Sequence, residues 1–536
     1  MRRIRSSLRT DQVRNLIVFL LITTFVVCGA FLRFHNLIEY AFFDVDMSRD
    51  ILAVDHILRF GEFHSAIPLA EGGEINGQAV LSNSFFYFYF LVPFYMLGRS
   101  PESVLYVMNG LSVVGIVVFF LIGNKMSGRW AGIISAMFFA TNIVFIEANR
   151  DIWQPFVLAS LLPYALYCFV DSWKTKSRWS YFATLILFGV LIHIHLSVLS
   201  LIPLLFIYFL DMSRHFFTTD RKVFWLGVGT VFCTLCLWLI GMKWSVTPSE
   251  LITFLASVRR NSLDQNLPSD LESSFIRGRN VAPFFSYIIL VLIAGISSGF
   301  HAVIGLPAKR ATVFKVWSIA LIILGSYLLS RAFFAAKFYY FLPYYYFLVI
   351  GLGYAVAQLR STGLKILVTV SLMLLSLSGI LPGLHFHREW YDTDILQKRL
   401  VAQVMLQDEL HSKNQKNAEH VGVLSMVNYG SGWFRSDGHA LWYFLEQSME
   451  TQLVTIGAHN ADLTVLHTPD AYYLSCEAMD IYVNGPDRCL REAELYLPFS
   501  AEQKACANLN VIEVSYPDQW RNDLWKYRVF SVEAAK

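Results

Sequence analysis

Apolar runs long enough to cross a membrane recur along most of the chain. A helix that spans a bilayer needs roughly 20 apolar residues, and about eleven segments approach that criterion here. They lie at residues 15–34, 102–123, 130–147, 153–171, 180–197, 198–212, 223–242, 283–305, 315–331, 341–359 and 364–384. The pattern therefore predicts an all-α polytopic membrane domain over residues 1–384, with juxtamembrane helices beside the spans.

Composition agrees with this class. The 536 residues are 55% hydrophobic and 15% charged, with 44 phenylalanines and a mean hydropathy of +0.47, whereas about a quarter of the residues of a soluble protein are charged. Because the net charge is only +3 and the basic residues lie in short loops, nucleic acid is not an expected partner. The arginine-rich leader continues into a full-length span without a small-residue cleavage site, which predicts an uncleaved anchor.

The loops between the predicted spans differ in charge, and the basic ones all fall on one face. They contain the N-terminal arginines, Lys125 and Arg129, Lys174, Lys176 and Arg178, Arg214, Arg221 and Lys222, Lys309 and Arg310, and Arg360 and Lys365. The positive-inside rule assigns that face to the cytoplasm, so the N-terminus is predicted inside and the C-terminus outside. The short aromatic segment Phe85–Leu97 contains Pro93 and is predicted to be a helix in the outer interface.

Four polar regions are predicted on the outer face. They are the first loop at about 35–101, a turn at Glu147–Trp153, a loop at 243–282 and the tail from His385. The tail, residues 385–536, contains short β-rich runs such as Val421–Leu424, with helical stretches such as Ala440–Met449 between them. This alternation predicts a small mixed α/β extracytoplasmic domain.

The first exterior loop contains a compact acidic cluster. Asp44, Asp46 and Asp50 lie within seven residues, together with Arg49. Helical spacing would place Asp46 and Asp50 on one face, and a carboxylate is the group that glycosyl transfer needs to deprotonate an acceptor. The alternative is an ordinary hydrated loop in which Arg49 neutralises its neighbours, and from spacing alone both interpretations stay open.

A second polar group occupies the predicted turn between two spans. Glu147, Arg150, Asp151 and Trp153 precede Pro155, which is well placed to open the next helix. Any turn between spans needs polar residues, but two acids, an arginine and a tryptophan exceed that need. The turn is therefore predicted to face the first exterior loop.

Further candidates lie at the outer ends of later spans. His193 and His195 are two residues apart and point to different faces of a helix, so a joint metal site is not supported and His195 is the better candidate to line a cavity. Lys337 could hold a lipid-linked phosphate, or could extend to lipid headgroups. Tyr339 begins a tyrosine-rich stretch that is typical of an aromatic belt at the membrane interface, with a sugar platform as the alternative.

The common sequence motifs for nucleotide binding and for hydrolysis do not occur at suitable positions in this chain. The chain has no P-loop, Gly-rich dinucleotide fingerprint, zinc-protease motif or serine-nucleophile motif in a suitable position. A cytosolic type of nucleotide-sugar enzyme is therefore not indicated. An activated donor would have to arrive in the membrane.

With these residues in place, the chain resembles the C-type integral-membrane glycosyltransferases, the superfamily of protein O-mannosyltransferases and lipid A aminoarabinose transferases. The resemblance covers roughly residues 15–360 and rests on motifs in a shared order. They are Asp46-Met47-Ser48-Arg49-Asp50, Ile57-Leu58-Arg59-Phe60-Gly61, Ser84–Phe90, Gly123–Arg129, Arg150-Asp151-Ile152-Trp153-Gln154-Pro155, His195-Leu196-Ser197 and Lys337–Pro343. Asn83-Ser84 and Gln154 depart from the family's Gly-Pro and Asn.

The resemblance implies inverting transfer of a sugar from a polyprenyl-phosphate donor at the outer face of a bacterial inner membrane. The acceptor would be a glycolipid, a polysaccharide or a protein. The spans that flank the first loop would accept the prenyl chain of the donor, and membrane lipids would surround the protein. Alignment on Arg49-Asp50 makes Asp46 the base or the acceptor-positioning acid, with Asp44 and Asp50 beside it. Glu147 or Asp151 would be a supporting or metal-linked acid. The expected substrate contacts are Arg49, Arg150, Trp153, His195, Lys337 and Tyr339.

The sequence leaves open whether the protein binds a metal ion and which of three functional classes it belongs to. The three clustered acids permit a divalent cation but do not require one. The competing class is a multi-span transporter or lipid-carrier flippase, which generally places ionisable groups near the membrane midplane. In this chain they gather at the ends of the spans, which favours surface chemistry. A third reading is a receptor tail on an inactive enzyme core.

Overall fold

The computed structural model describes residues 2–38, 41, 43, 45–61, 67–68, 74–75, 78–79, 82–83, 86–150, 152–241, 342–357, 359, 361–374, 376, 399 and six strands between 421 and 533. The side chains of some of these residues, Asp46 and Glu147 among them, lie outside the description. The chain divides into two compact units. One contains Met1–His35 and Phe63–His385, and the other contains Asn36–Glu62 and Phe386–Lys536.

The described part of the first unit is mainly helical. Its helices are α1 (Arg2–Phe34), α3 (Phe86–Tyr95), α4 (Pro101–Ser127), α5 (Arg129–Thr141), α6 (Ile143–Ala148), α7 (Gln154–Thr175), α8 (Arg178–Ile194), a 3-10 helix (Leu196–Leu201), α9 (Ile202–Thr219), α10 (Arg221–Gly241), α11 (Leu342–Ala357) and α12 (Thr362–Leu374). The helix α2 (Val45–Phe60) belongs to the second unit. Pro101 and Pro155 begin helices in the first turn, where a missing N–H costs nothing.

Four of the described helices are long and apolar enough to cross a membrane: Gln12–Phe34, Pro101–Ser127, Gln154–Thr175 and Arg221–Trp238. Shorter apolar helices occupy Phe86–Tyr95, Arg178–Ile194 and Thr362–Leu374. These positions coincide with apolar runs of the sequence, and the chain is a multi-pass membrane protein. The predicted spans 283–305 and 315–331 lie outside the described residues.

The predicted span 130–147 contains a break between two helices that the sequence did not indicate. α5 ends at Thr141, Asn142 adopts an extended conformation with φ −79° and ψ 127°, and α6 begins at Ile143. The Asn142 N–H still donates to the Phe138 carbonyl at 3.0 Å. The run of apolar residues continues through the break, so hydrophobicity alone gave no sign of it.

Glycines allow α4, α5 and α11 to pack closely. A Cβ at Gly123 of α4 would lie 2.5 Å from the Ala131 carbonyl oxygen, and one at Gly132 of α5 would lie 2.6 Å from that of Phe120. On the same core, Phe119 stacks on Phe139 with ring centroids 4.5 Å apart. Small residues at helix contacts are the usual means of close packing in membranes, where lipid supplies no hydrophobic drive.

A polar network joins helix ends on one side of the bundle. Lys125, near the C-terminus of α4, forms an ion pair of 2.6 Å with Asp171, near the C-terminus of α7. Lys176, which has a left-handed φ of 56° after α7, pairs with Asp211 of α9 at 2.5 Å. These pairs place the ends of α4 and α7 at the same level, so both helices run in one direction, as the alternating loops predicted.

The second unit contains a mixed six-stranded sheet. Its strands are β5 (Val421–Asn428), β6 (Trp433–Ser436), β7 (Val454–Thr455), β8 (Ala471–Ala478), β9 (Asn510–Glu513) and β10 (Tyr527–Glu533). The order is β6-β5-β8-β10-β9, with β7 also paired to β5. β5 pairs in parallel with β8 and β7, and the other pairs are antiparallel. The helices predicted for this domain lie outside the described residues.

Two small strand pairs lie in the predicted first exterior loop. β1 (Ile67–Pro68) pairs with β4 (Ser82–Asn83), and β2 (Glu74–Ile75) pairs with β3 (Gln78–Ala79), all antiparallel. Ile75 faces Gln78 in the inner pair. The two residues between them, which lie outside the described residues, are Asn76-Gly77 in the sequence. This dipeptide is the strongest short-range signal for a tight hairpin.

Candidate functional site

The acidic cluster of the first loop is carried by α2. Its backbone places Asp46 and Asp50 one turn apart on the same face of the helix. Asp50 is fully buried, and its Oδ1 accepts from Arg49 Nη2 at 3.0 Å and from Arg49 Nε at 3.2 Å. A buried carboxylate is costly unless paired, and the contact with Arg49 offsets part of the cost of burying Asp50.

A second ion pair on α2 was not singled out by sequence reasoning. Arg59 Nη1 lies 3.3 Å from Asp55 Oδ2 across one helical turn, and both Asp55 and His56 are buried. The His56 ring meets Phe60 edge-on, with centroids 5.3 Å apart. The four-residue spacing of Asp55 and Arg59 was the available signal. α2 therefore contains several buried polar groups.

In the first unit, Arg150 connects the turn after α6 to the end of α1. The Arg150 guanidinium is buried, and its Nη2 donates to the carbonyl oxygens of Leu32 at 2.8 Å and His35 at 3.2 Å. The last carbonyls of a helix have no partner within the helix, and a cation at that end also complements the helix dipole. Arg150 thus caps the C-terminus of α1.

Hydrogen bonds from three other helices hold the same turn. Asn109 of α4 donates to the Asn149 carbonyl at 2.6 Å, and the Ser160 hydroxyl of α7 donates to Asn149 Oδ1 at 2.5 Å. The Tyr87 hydroxyl of α3 donates to the Ile152 carbonyl at 2.8 Å. Together with the contacts of Arg150, these hydrogen bonds connect Asn149, Arg150 and Ile152 to α1, α3, α4 and α7.

We expect Tyr87→Phe to destabilise the protein by about 1 to 2 kcal/mol, because the buried Ile152 carbonyl loses its hydroxyl donor. The measurement is thermal unfolding of the purified protein in detergent, followed by intrinsic fluorescence. Tyr106→Phe on the neighbouring α4 is the matched control, since Tyr106 is exposed. An equal effect of the two substitutions would contradict the role of the Tyr87 hydroxyl.

The remaining residues of this turn are described in part. Trp153 forms the N-cap position of α7 in an extended conformation and is half-buried, with its ring edge-on to Phe156 at 5.6 Å. The side chain of Glu147 and the whole of Asp151 lie outside the described residues. Pro155 opens the helix as predicted.

Arg33 is a buried cation that sequence reasoning missed. It lies near the C-terminus of α1 and is 0% exposed. Its Nη2 donates to the Phe139 carbonyl at 2.8 Å and its Nη1 to the Ala140 carbonyl at 3.1 Å, while its Nε donates to Ser112 Oγ at 2.8 Å. Because α5 breaks at Asn142, these two carbonyls belong to its last turn and need external donors.

Arg33 and Arg150 therefore act reciprocally. Arg33 of α1 supplies donors to the end of α5, and Arg150, after α6, supplies donors to the end of α1. We call these two residues the arginine clamp. Arg33 also lies over the Phe139 ring at 5.2 Å from the centroid. A lone arginine in a span is a signal of a buried polar contact, and this one stood near the end of the first apolar run.

His195 ends α8 and is buried. The Ser197 N–H donates to His195 Nδ1 at 3.2 Å, and the Ser197 hydroxyl lies 2.9 Å from the same atom. Because Nδ1 accepts from a backbone N–H, the neutral imidazole carries its proton on Nε2. The His-Leu-Ser motif thus closes a local turn between α8 and the 3-10 helix.

The predicted site residues are divided between the two units. Asp46, Arg49 and Asp50 belong to the second, and Arg150, Trp153 and His195 to the first. Asp44, Lys337 and Tyr339 lie outside the described residues. Within the part of the chain that the structure describes, no group of three His, Cys, Asp or Glu side chains could hold a metal ion.

No protein-family model and no curated protein matches the chain. Among solved structures, ArnT from Cupriavidus metallidurans bound to undecaprenyl phosphate has a TM-score of 0.49 and 14% identity, covering 96% of this chain and 97% of ArnT. The apo oligosaccharyltransferase of Archaeoglobus fulgidus has a TM-score of 0.47 and 10% identity, covering 80% of this chain and 64% of its own.

Proposed function

We propose that this protein is a membrane glycosyltransferase that moves a sugar from a polyprenyl-phosphate donor to an acceptor outside the cytoplasm. The observation that carries the proposal is the acidic face of α2. It places Asp46 one turn from Asp50, whose carboxylate is buried and paired with Arg49. Because Asp50 is paired with Arg49, we assign the role of general base to Asp46.

In the proposed reaction, the acceptor hydroxyl attacks the anomeric carbon from the side opposite the phosphate. The bond between this carbon and the phosphate oxygen breaks, the new glycosidic bond forms with inversion, and polyprenyl phosphate leaves with the bonding pair. Asp46 takes the proton of the acceptor hydroxyl, which is general-base catalysis. Lys337 is assigned to the leaving phosphate, whose developing charge a cation stabilises.

The proposal also assigns roles to further acidic and aromatic residues and a cellular setting to the protein. Glu147 or Asp151 is assigned as a supporting acid near the substrates, and Trp153 and Tyr339 as sugar-facing aromatics. Carboxylate oxygens are suitable ligands for a hard divalent cation, so the acidic cluster permits one without requiring it. Asp44 and Asp46 would supply the ligands, because Asp50 is already paired with Arg49. The proposed setting is a bacterial inner membrane, with the N-terminus in the cytoplasm and the C-terminal domain outside.

The distribution of charge favours this proposal over a transporter or flippase. In the four described helices long enough to cross a membrane, every Asp, Glu, Lys and Arg lies near an end. Transport pathways generally place ionisable groups or broken helices near the midplane. Polar groups at the ends of spans suit chemistry at the membrane surface.

The proposal is tested by reconstituting the purified protein with polyprenyl-phosphate sugars labelled in the sugar, using membrane extract as a source of acceptors. We expect a new labelled glycoside and an equal amount of released polyprenyl phosphate. Parallel reactions with chelator and with added divalent cation measure metal dependence. Movement of intact donor between leaflets, with neither product, would instead identify a flippase.

A further inference from the structure

An exposed basic surface lies at one end of α8, α9 and α10. Its cations are Arg178, Arg214, Arg221 and Lys222, all exposed, and we call these four residues the basic rim. Within the described part of the chain, none of the four forms an ion pair. Arg178 lies over the Trp179 ring at 5.4 Å, and Arg221 over the Phe217 ring at 5.5 Å.

Contacts between the helices place the members of the basic rim at one level. The Tyr181 ring, one turn after Arg178, lies 5.2 Å from the Phe216 ring of α9. A Cβ at Gly227 of α10 would lie 2.5 Å from the Tyr181 hydroxyl. Further along, Gly189 of α8 meets Thr234 of α10. α8 and α10 therefore run in parallel, and both begin at the basic rim.

Two acidic residues, Asp211 and Asp220, lie near the four cations of the basic rim. Asp211 pairs with Lys176 at 2.5 Å and accepts from Trp173 Nε1 at 3.0 Å. Asp220 Oδ1 accepts from the Val223 N–H at 3.3 Å and caps α10. The N-terminal ends of α8 and α10 add the positive ends of two helix dipoles, and the C-terminus of α9 offsets one of them. The surface consequently has an excess of positive charge.

Large aromatic side chains accompany the cations. Trp179 is 72% exposed and Trp225 is 64% exposed, and Phe217 beside them is also exposed. Indole rings are enriched at the boundary between headgroups and hydrocarbon, where one part of the ring is apolar and the other meets water. If inorganic phosphate were the ligand, these exposed rings would stay in contact with water. A lipid bound by the same cations would cover the rings with its glycerol and acyl groups.

We propose that the basic rim binds the phosphate headgroups of anionic phospholipids, with Trp179, Phe217 and Trp225 contacting the glycerol and upper acyl region. The arginines supply several N–H donors to phosphate oxygens. The surface fits an anionic lipid better than a zwitterionic one, because the latter carries a compensating cation. This inference is independent of the proposed glycosyl transfer.

The experiment measures retention of phosphatidylglycerol and phosphatidylcholine by the full chain, using native mass spectrometry after exchange into detergent containing one lipid or the other. We expect wild type to retain phosphatidylglycerol preferentially. Each charge removed from the basic rim, by Arg178→Gln, Arg221→Gln or Lys222→Gln, should weaken phosphatidylglycerol binding about fivefold. Arg99→Gln is the matched control, since Arg99 is an exposed cation beside the N-terminus of α4, at the other end of the bundle.

Two further measurements test the proposal: a charge-conserving double variant and competition by inorganic phosphate. Arg178→Lys with Arg221→Lys retains the charge and should retain most of the lipid binding, even if the glutamine variants fold poorly. Inorganic phosphate added at high concentration should not displace the lipid. Equal binding of the two lipids, equal loss in Arg99→Gln, or displacement by free phosphate would each overturn the proposed lipid surface.

Discussion

Asp46→Asn is expected to lower kcat for sugar transfer about 100-fold or more while leaving KM for the donor nearly unchanged. Asparagine has almost the same shape as aspartate but cannot accept the acceptor's proton, and a positioned general base typically contributes 10²- to 10⁴-fold. The measurement is steady-state transfer from a labelled polyprenyl-phosphate sugar by purified protein. Asp44→Asn, measured in parallel, tests whether the alignment on Arg49-Asp50 identifies the correct acid.

The neighbouring Asp50 serves as the contrasting case. Asp50→Asn removes the ion pair with Arg49 and is expected to cost about 1 to 3 kcal/mol of stability, less than for a fully buried pair because Arg49 is 20% exposed. Arg49→Gln combined with Asp50→Asn should recover part of that loss in a double-mutant cycle. Asp46→Asn should leave the unfolding temperature unchanged.

These variants distinguish a loss of sugar transfer from a loss of protein stability. If Asp46→Asn and Asp44→Asn both retain full transfer, the catalytic role assigned to the acidic cluster is wrong. If only Asp44→Asn is inactive, the enzyme assignment survives and the base moves to Asp44. Asp55→Asn on the same helix provides a control for loss of a carboxylate that already has an arginine partner.

Arg33→Met is expected to destabilise the protein by about 3 kcal/mol or more. It leaves the Phe139 and Ala140 carbonyls and the Ser112 hydroxyl without their guanidinium donor in a buried site. Hydrogen bonds to charged groups contribute about 1.5 to 3 kcal/mol each, and a buried acceptor left unsatisfied costs a further amount. The measurement is unfolding in detergent monitored by fluorescence.

Arg14→Met is the matched control for Arg33→Met. It makes the same substitution in the same helix, where the side chain is exposed, and should change stability little. Arg33→Lys should be intermediate, because an ammonium group keeps the charge but lacks the planar fork that reaches several acceptors at once. Full stability of Arg33→Met would show that the end of α5 does not depend on this donor set.

The sequence predicted the described helices well because their signal is simple. A run of about 20 apolar residues has few stable alternatives to a helix in a membrane, and α4, α7 and α10 follow such runs. The break at Asn142 escaped prediction because it depends on donors from Arg33, more than 100 residues earlier in the chain. Contacts of that range are invisible to local periodicity.

The candidate site was predictable in its residue types and less so in its contacts. The prediction that Asp46 and Asp50 lie in a helix is confirmed, since both belong to α2, and Pro155 does lie in the first turn of α7. The capping role of Arg150 was not foreseen, since the turn predicted polar residues without indicating their partners. His195 likewise has its Nδ1 fixed by Ser197, a contact that follows from the local turn after α8.

The arginine clamp has a consequence for how the chain is assembled during synthesis. Arg150 reaches carbonyls 118 and 115 residues before it, so the first span is synthesised long before its C-terminal end can receive this cap. Until Arg150 emerges, other donors such as water must satisfy the carbonyls at that end. We therefore expect a nascent chain that stops before Arg150 to have a frayed last turn of α1, which the later arrival of Arg150 would stabilise.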